Sequence, residues 1–287
     1  MTANRGIIYF NTGTKHLVRL VVSLFTLRQH YTGPVTILET GDEASVDPLC
    51  KIFADDRLYN IEVKRIPLSK HRRNSAYVTK STLWRHSPYG VSLLLDADTV
   101  IVGDPTPLLG WADERPRIVV TRFGKWTTQQ PIVANRIKQW TTNRCGPTNH
   151  AVPQLVKRAL EFPHPAVNTG VVAWRRDSSI LQPWAEVTRA GWRASFTDEL
   201  AMQLLMQRYD HTLVGDRFNC SPRYGQAKPE EVRIWHCHGN KHATRPEWSR
   251  VWLPHFDRVI KGNVAGVKDW MPLGDKRLGV YLAGQAG

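Results

Sequence analysis

The sequence predicts an α/β protein built on an open, mixed but mainly parallel sheet with helices on its faces. Three observations carry that expectation. Apolar runs of strand length alternate with segments of helical period through the first two thirds of the chain. The run Val91–Leu95 is almost wholly apolar, as a strand covered on both faces must be. Asp96-Ala97-Asp98 then puts charge at the carboxyl end of that strand, where open α/β sheets bind their ligands.

The elements follow in order. Ile7–Phe10 is a short strand. Leu17–Gln29 reads as a helix, with Leu17, Leu20, Val21, Leu24 and Leu27 on one side. Gly33-Pro34 breaks the chain before a second strand, Val35–Leu38. Pro48–Ala54 reads as a helix and Ile61–Ile66 as a third strand of alternating character. Tyr77–Trp84 is a helix that ends before Ser87-Pro88, and Val91–Leu95 is the fourth strand. Ile118–Val120 and Val171–Trp174 are later strands. From Asp257 the chain is richer in glycine and weakly patterned. The expected division is therefore one domain over residues 1–256 and a C-terminal extension, 257–287, packed on it.

The 287 residues, 41% of them hydrophobic, suffice for a substantial core. No run of about 18 apolar residues occurs, so no membrane span is expected. Gly6–Asn11 is too short for a signal-peptide core, and no small-residue cleavage site follows it. Cys50, Cys145, Cys220 and Cys237 show no paired spacing and read as reduced thiols. A cytoplasmic protein is expected; oligomeric state is not legible. The net charge of +14 points to an anionic partner, with a merely basic, soluble surface as the plain alternative. The charge is blocked. Residues 115–160 hold nine Lys or Arg and no acid, and include Trp126 and Trp140. Residues 57–86 hold eight Lys or Arg against Glu62 alone.

Two carboxylates spaced by one residue can reach one hard divalent cation when the chain turns out of a strand. Oxygen ligands suit Mg²⁺ or Mn²⁺, and such an ion bridges a diphosphate. An isolated Asp-x-Asp is a weak signal. At the end of a buried strand it is stronger, because ionised carboxylates there need a partner.

Further segments extend the pattern. Val78-Thr79-Lys80-Ser81-Thr82-Leu83-Trp84 precedes the fourth strand, and Val167-Asn168-Thr169-Gly170-Val171-Val172 comes later. Thr197-Asp198-Glu199-Leu200-Ala201, Arg217-Phe218-Asn219 and Ile234-Trp235-His236-Cys237-His238-Gly239-Asn240-Lys241 follow in order. Together with Val91–Val100 these segments resemble glycogenin and its relatives, retaining glycosyltransferases of the GT-A fold. The resemblance spans residues 5–245 and rests on order and spacing.

That resemblance implies a Rossmann-like sheet with a metal site at the end of strand 4. It implies that Asp96, Asp98 and His236 bind Mn²⁺ (or Mg²⁺). Tyr9, Asn11, Thr12, Lys80, Asp96, Ala97, Gly239 and Lys241 would hold the nucleotide-sugar donor, a UDP-sugar by family habit. Asp198, Asn168 and Lys80 would be the catalytic residues. Two departures stand out. Lys241 lies two residues after Gly239 where the family has three, so Lys241 or His242 meets the diphosphate, and the family's usual Tyr after Asn11 is missing.

Plainer readings stay open. Lys80 on a helix is by default solvated, Asn168 before Thr169-Gly170 suits a turn, and Asp198-Glu199 suits a helix N-terminus. His236, His238 and His242 are also compatible with a separate zinc cluster. The acceptor is read from the basic, tryptophan-bearing block: Trp126, Trp140, Arg122 and Lys125, with Glu199, suit a nucleic acid. The sharpest expectation is a hydroxymethylated base in DNA. The alternatives are a surface glycan, a lipid-linked sugar or a protein. A further alternative is a non-catalytic nucleic-acid-binding protein that kept the GT-A fold.

Overall fold

The computed structural model describes residues 4–41, 43–70, 75–115, 117–140, 146, 148–194, 197–238 and 246–271. The strands are β1 (Arg5–Asn11), β2 (Val35–Glu39), β3 (Ile61–Arg65), β4 (Val91–Leu95), β5 (Thr99–Ile101), β6 (Ile118–Thr127), β7 (Pro165–Arg175), β8 (His211–Val214) and β9 (Ile234–His236). The helices are α1 (Leu17–Leu27), α2 (Val46–Ala54), α3 (Ser75–Lys80), α4 (Thr106–Asp113), α5 (Pro131–Lys138), α6 (Val152–Glu161), α7 (Leu181–Ala190), α8 (Thr197–Leu205), α9 (Pro246–Lys261) and α10 (Val267–Trp270).

Seven strands form the central sheet in the order β3-β2-β1-β4-β7-β6-β8. The β1–β2, β1–β4, β2–β3 and β6–β8 pairs are parallel. Only β7 runs against its neighbours, β4 and β6. The mixed, mainly parallel sheet expected from the sequence is what forms. Its apolar strands are explained by two cores. Ile7, Tyr9, Leu93 and Leu95 face one core, with α1 and α9. Ile8 and Leu94 face the other, with α6, α7 and α8. A strand sandwiched this way has no polar face to show.

Three differences from the sequence expectation have local causes. The helix expected over 77–84 ends at Lys80. The Ser81 hydroxyl donates to the Val78 carbonyl (2.8 Å) and Thr82 to that of Thr79 (2.7 Å), and a 3₁₀ turn follows. Such local hydroxyl bonds compete with continuation of the helix. The three-residue strand expected at 118–120 runs on to Thr127, with two breaks in register against β7. Residue 256, the expected division, lies inside α9, whose Trp252 and Phe256 stack with centroids 4.7 Å apart and are fully buried. Val264, Val267 and Trp270 beyond it are buried in the same core.

The pieces that position the site are small and polar. A second, two-stranded sheet pairs β5 with β9 and sets Thr99 opposite His236. It is pinned to α1 by buried hydroxyls. Ser23 shares hydrogen bonds with Tyr9 (2.9 Å) and Thr99 (2.8 Å), and the Ile101 amide donates to Thr26 (3.1 Å). Buried hydroxyls hold position only when satisfied, and these are. No helix among the described residues is long and apolar enough to cross a membrane. Cys50, Cys220 and Cys237 are unpaired.

Because Trp252 ties α9 to the sheet, Trp252→Ala should cost about 3–5 kcal/mol of stability. Phe53→Ala, at a residue 65% exposed, should stay within about 0.5 kcal/mol. Denaturant midpoints of the two variants check this; equal midpoints would contradict α9 as part of the core.

Candidate active site

Asp96 and Asp98 leave the sheet where β4 ends. The turn between β4 and β5 is closed by Thr99, whose amide and hydroxyl both donate to the Asp96 carbonyl (3.1 and 2.8 Å). The Asp96 amide donates to the Gly170 carbonyl on β7 (2.8 Å), and the Cys237 amide to the Asp98 carbonyl (2.9 Å). Backbone bonds thus fix both aspartates from two sides. His236, at the end of β9, brings Nε2 to 3.1 Å from Asp98 Oδ1 and 3.8 Å from Asp96 Oδ2. One ligand atom from each of the three lies within 4.8 Å of the others. Gly170 makes room for this, since any Cβ there would strike the His236 ring.

Behind the trio sits a buried charge network. Lys80, 7% exposed, holds Asp96 Oδ1 at 2.6 Å and Asp198 Oδ2 at 3.8 Å. The Thr169 hydroxyl donates to the same Asp198 oxygen (2.7 Å), and the Trp184 indole donates to the Asp198 carbonyl (2.8 Å). Asn168 Nδ2 donates to Glu199 (2.8 Å). Its Oδ1 accepts from the Gly170 amide (2.8 Å) and from Asn219 (3.1 Å). Asn219 also donates to Thr121 (2.6 Å), and Arg136 lies 3.7 Å from the other Glu199 oxygen.

The electrostatics follow from crowding. Burial works against the Lys80 ammonium, but Asp96 and Asp198 prevail and hold its pKa above the ordinary value. Burial likewise opposes the His236 imidazolium, and Asp98 and Asp96 prevail there too. Asp198 is pushed up by burial against the pull of Lys80. Glu199 is pushed up to about 7 by burial and the neighbouring Asp198, with Arg136 opposing. His238 falls to about 4 through burial and the adjacent His236. All of these side chains line one cleft of about 380 Å³, within the usual range for a ligand pocket.

Several solved structures share this fold. The galactosyltransferase LgtC, in complex with donor and acceptor sugar analogues, aligns over 88% of this chain and 95% of its own, at 14% identity and a TM-score of 0.60. Mouse xyloside xylosyltransferase 1 aligns over 84% of this chain and 99% of its own, at 14% identity and a TM-score of 0.54. The chain has the GT-A fold. The bifunctional glycosyltransferase WbbM shares it at 9% identity and a TM-score of 0.53, over 88% of this chain and 52% of its own. No family model matches the chain, and no curated protein matches it.

Within the GT-A frame, Asp96, Asp98, His236, Lys80, Asn168, Asp198 and Glu199 converge on the cleft as the motifs suggested. Others do not. Tyr9 is fully buried with its hydroxyl on Ser23, so its ring belongs to the core and is closed to a nucleotide. Asn11 is buried as well; its Nδ2 donates to Glu39 (2.5 Å) and to the Gly13 carbonyl (3.1 Å), shaping the turn after β1. Thr12 is half-buried in that turn, and Ala97 is buried against the first core. Trp140 is buried in the second core, where its ring occupies the space beside Gly191. Arg122 and Lys125 are exposed and do not line the cleft, whereas Trp126 does. Gly239, Lys241 and His242 lie outside the described residues. His238 is not one of the trio; its ring packs edge-on against that of His236 (centroids 5.5 Å apart) and it shares a hydrogen bond with Ser221 (3.0 Å).

The sequence did not reveal Phe123, Arg136 or Tyr224 as cleft residues. Asn219 closed a recognised segment, but its bond to Asn168 needed the structure. The donor set suits a hard divalent cation: two carboxylates and one imidazole with Nε2 turned to them, and Asp96's other oxygen held by Lys80.

The raised pKa of Glu199 fixes a pH dependence. Between its ordinary 4.5 and about 7, the folded chain keeps a proton that the unfolded chain has lost. Stability contributed there falls as pH rises through that window. Glu199→Gln removes the dependence and still accepts from Asn168. In metal-free buffer the variant should therefore gain Tm over the wild type between pH 5 and pH 8, by about 2–4 °C. A difference that stays constant or shrinks would contradict the burial of this carboxyl.

Proposed function

We propose that the chain is a metal-dependent glycosyltransferase that takes a nucleotide-sugar and moves the sugar to a hydroxyl of a glycan or glycoconjugate. The observation that carries this is the convergence of Asp96, Asp98 and His236 at the end of β4 in a GT-A fold. A divalent cation held there, Mn²⁺ or Mg²⁺, would neutralise charge on the departing nucleoside diphosphate. UDP as the nucleotide, retention of the anomeric configuration and a cytoplasmic setting belong to the same reading. The first two rest on the motif resemblance, the third on the unpaired cysteines.

The chain's own residues divide the work. Lys80 holds one Asp96 oxygen and balances Asp198, so it acts as a positioning residue for the metal ligands. Asp198 is 2% exposed and engaged by Lys80 and Thr169, which argues against its attacking a sugar carbon. In this reading the acceptor proton passes to the leaving diphosphate on the same face. Glu199, aligned by Asn168, receives the acceptor hydroxyl. A glycan acceptor is favoured over DNA. The nucleic-acid expectation leaned on Trp126, Trp140, Arg122 and Lys125, with Glu199; Trp126 and Glu199 line the cleft, but Trp140 is in the core and the two basic residues stand outside the cleft.

The test is nucleotide release on incubation with Mn²⁺ and each UDP-, GDP- and CMP-sugar in turn. One donor should be consumed, EDTA should stop it, and Asp98→Ala should slow it by about 10²-fold or more. Release that survives both EDTA and Asp98→Ala, or no release from any donor, would refute the proposal.

A further inference from the structure

One wall of the cleft is not explained by donor chemistry. Phe123, Trp126 and Tyr224 are all half-buried and all line the cleft. In a regular strand Phe123 and Trp126, three residues apart, would point to opposite faces. Here β6 slips register against β7 between Val120 and Thr121 and again between Arg122 and Thr127. Gly124 lies within the irregular stretch at φ 53°, and a Cβ there would strike the Tyr224 carbonyl oxygen. The bulge therefore turns both aromatic rings into the cleft and seats Tyr224 against them. A bulge beside an active site characteristically re-aims side chains in this way.

The rings are not arranged to sandwich a flat base. Phe123 and Trp126 meet at 72° with centroids 5.4 Å apart, and Trp126 and Tyr224 at 61° and 5.3 Å. Tyr224 itself lies parallel to His238 (centroids 6.1 Å apart, 20°) and under the Arg223 guanidinium (5.3 Å), so its faces are taken and Trp126 is the ring left to meet a ligand. Neither the Trp126 Nε1 nor the Tyr224 hydroxyl has a hydrogen-bond partner among the described residues. An apolar ring face with a waiting donor at its rim matches a pyranose, which has C–H on its face and hydroxyls at its edge.

We infer that Trp126, turned into the cleft by the bulge at Gly124 and backed by Phe123 and Tyr224, is the platform on which a pyranose of the acceptor stacks. This rests on the glycosyltransferase reading above and adds the chemical class of the acceptor. The test is saturation-transfer NMR with lactose, maltose and chitobiose in the presence of Mg²⁺ and UDP. The ring C–H protons of at least one should be saturated by the wild type. Trp126→Ala should weaken that binding roughly ten-fold, while Trp126→Phe retains most of it. Trp126→Leu makes the same comparison should Trp126→Ala fail to fold. No saturation of any disaccharide, saturation equal to the wild type in the Trp126 variant that folds, or binding of a hydroxymethylated DNA duplex instead would overturn the inference. Nucleotide release by the wild type is measured beside it. Disaccharide binding without release would refute the donor reading and keep the platform; release without binding would do the reverse.

Discussion

The structure around the cleft answers one constraint: four carboxyls share a small, largely buried space. Asp96, Asp98, Asp198 and Glu199 come from the β4–β5 turn and from the start of α8, and like charges so close cannot all ionise unaided. Lys80 is the first answer, buried between Asp96 and Asp198. Removing one partner of such a pair would leave an uncompensated charge in the interior, which is far costlier than the pair is stabilising. A divalent cation, which Asp96, Asp98 and His236 are placed to hold, would be the second answer. The third is partial: Glu199 takes up a proton near neutrality rather than staying charged.

Much of the surrounding fold is arranged to keep that crowd in place. The hydroxyl chain from Tyr9 through Ser23 to Thr99 fixes β5, and the β5–β9 pairing carries His236 to the metal ligands. Gly170 is tolerated in the middle of β7 because a side chain there would displace the imidazole. The Asn219–Asn168–Glu199 sequence of bonds links the turn after β8, through β7, to α8. The cleft is thus lined both by fixed charge and by the aromatic rings of Phe123, Trp126 and Tyr224.

Much of this was legible in the sequence, and the rest was hidden for definite reasons. β1 to β4 and α1 read cleanly because each is buried on the face its pattern predicts. β5, β8 and β9 are three or four residues long and carry no period worth reading. The metal ligands and Lys80 were legible because their motifs fix residue type and order together. Tyr9 and Asn11 misled, because residues near the carboxyl end of a strand suggest a ligand site, whereas both lie within β1 and turn their side chains inward to Ser23 and Glu39. Trp126 and Trp140 looked equivalent in a basic block, yet one lines the cleft and the other fills the space at Gly191. Only tertiary packing separates them. The bulge that brings Phe123 beside Trp126 depends on backbone geometry at Gly124, which no side-chain pattern announces.

The central claim is that Asp96, Asp98 and His236 hold a single divalent cation. Titration of the purified chain with Mn²⁺, followed by the EPR signal of the free ion, tests it most directly. The account predicts one saturable site per chain, lost in His236→Ala while the variant keeps the wild-type circular dichroism spectrum. No saturable site in the wild type, or an unchanged site in His236→Ala, would contradict it.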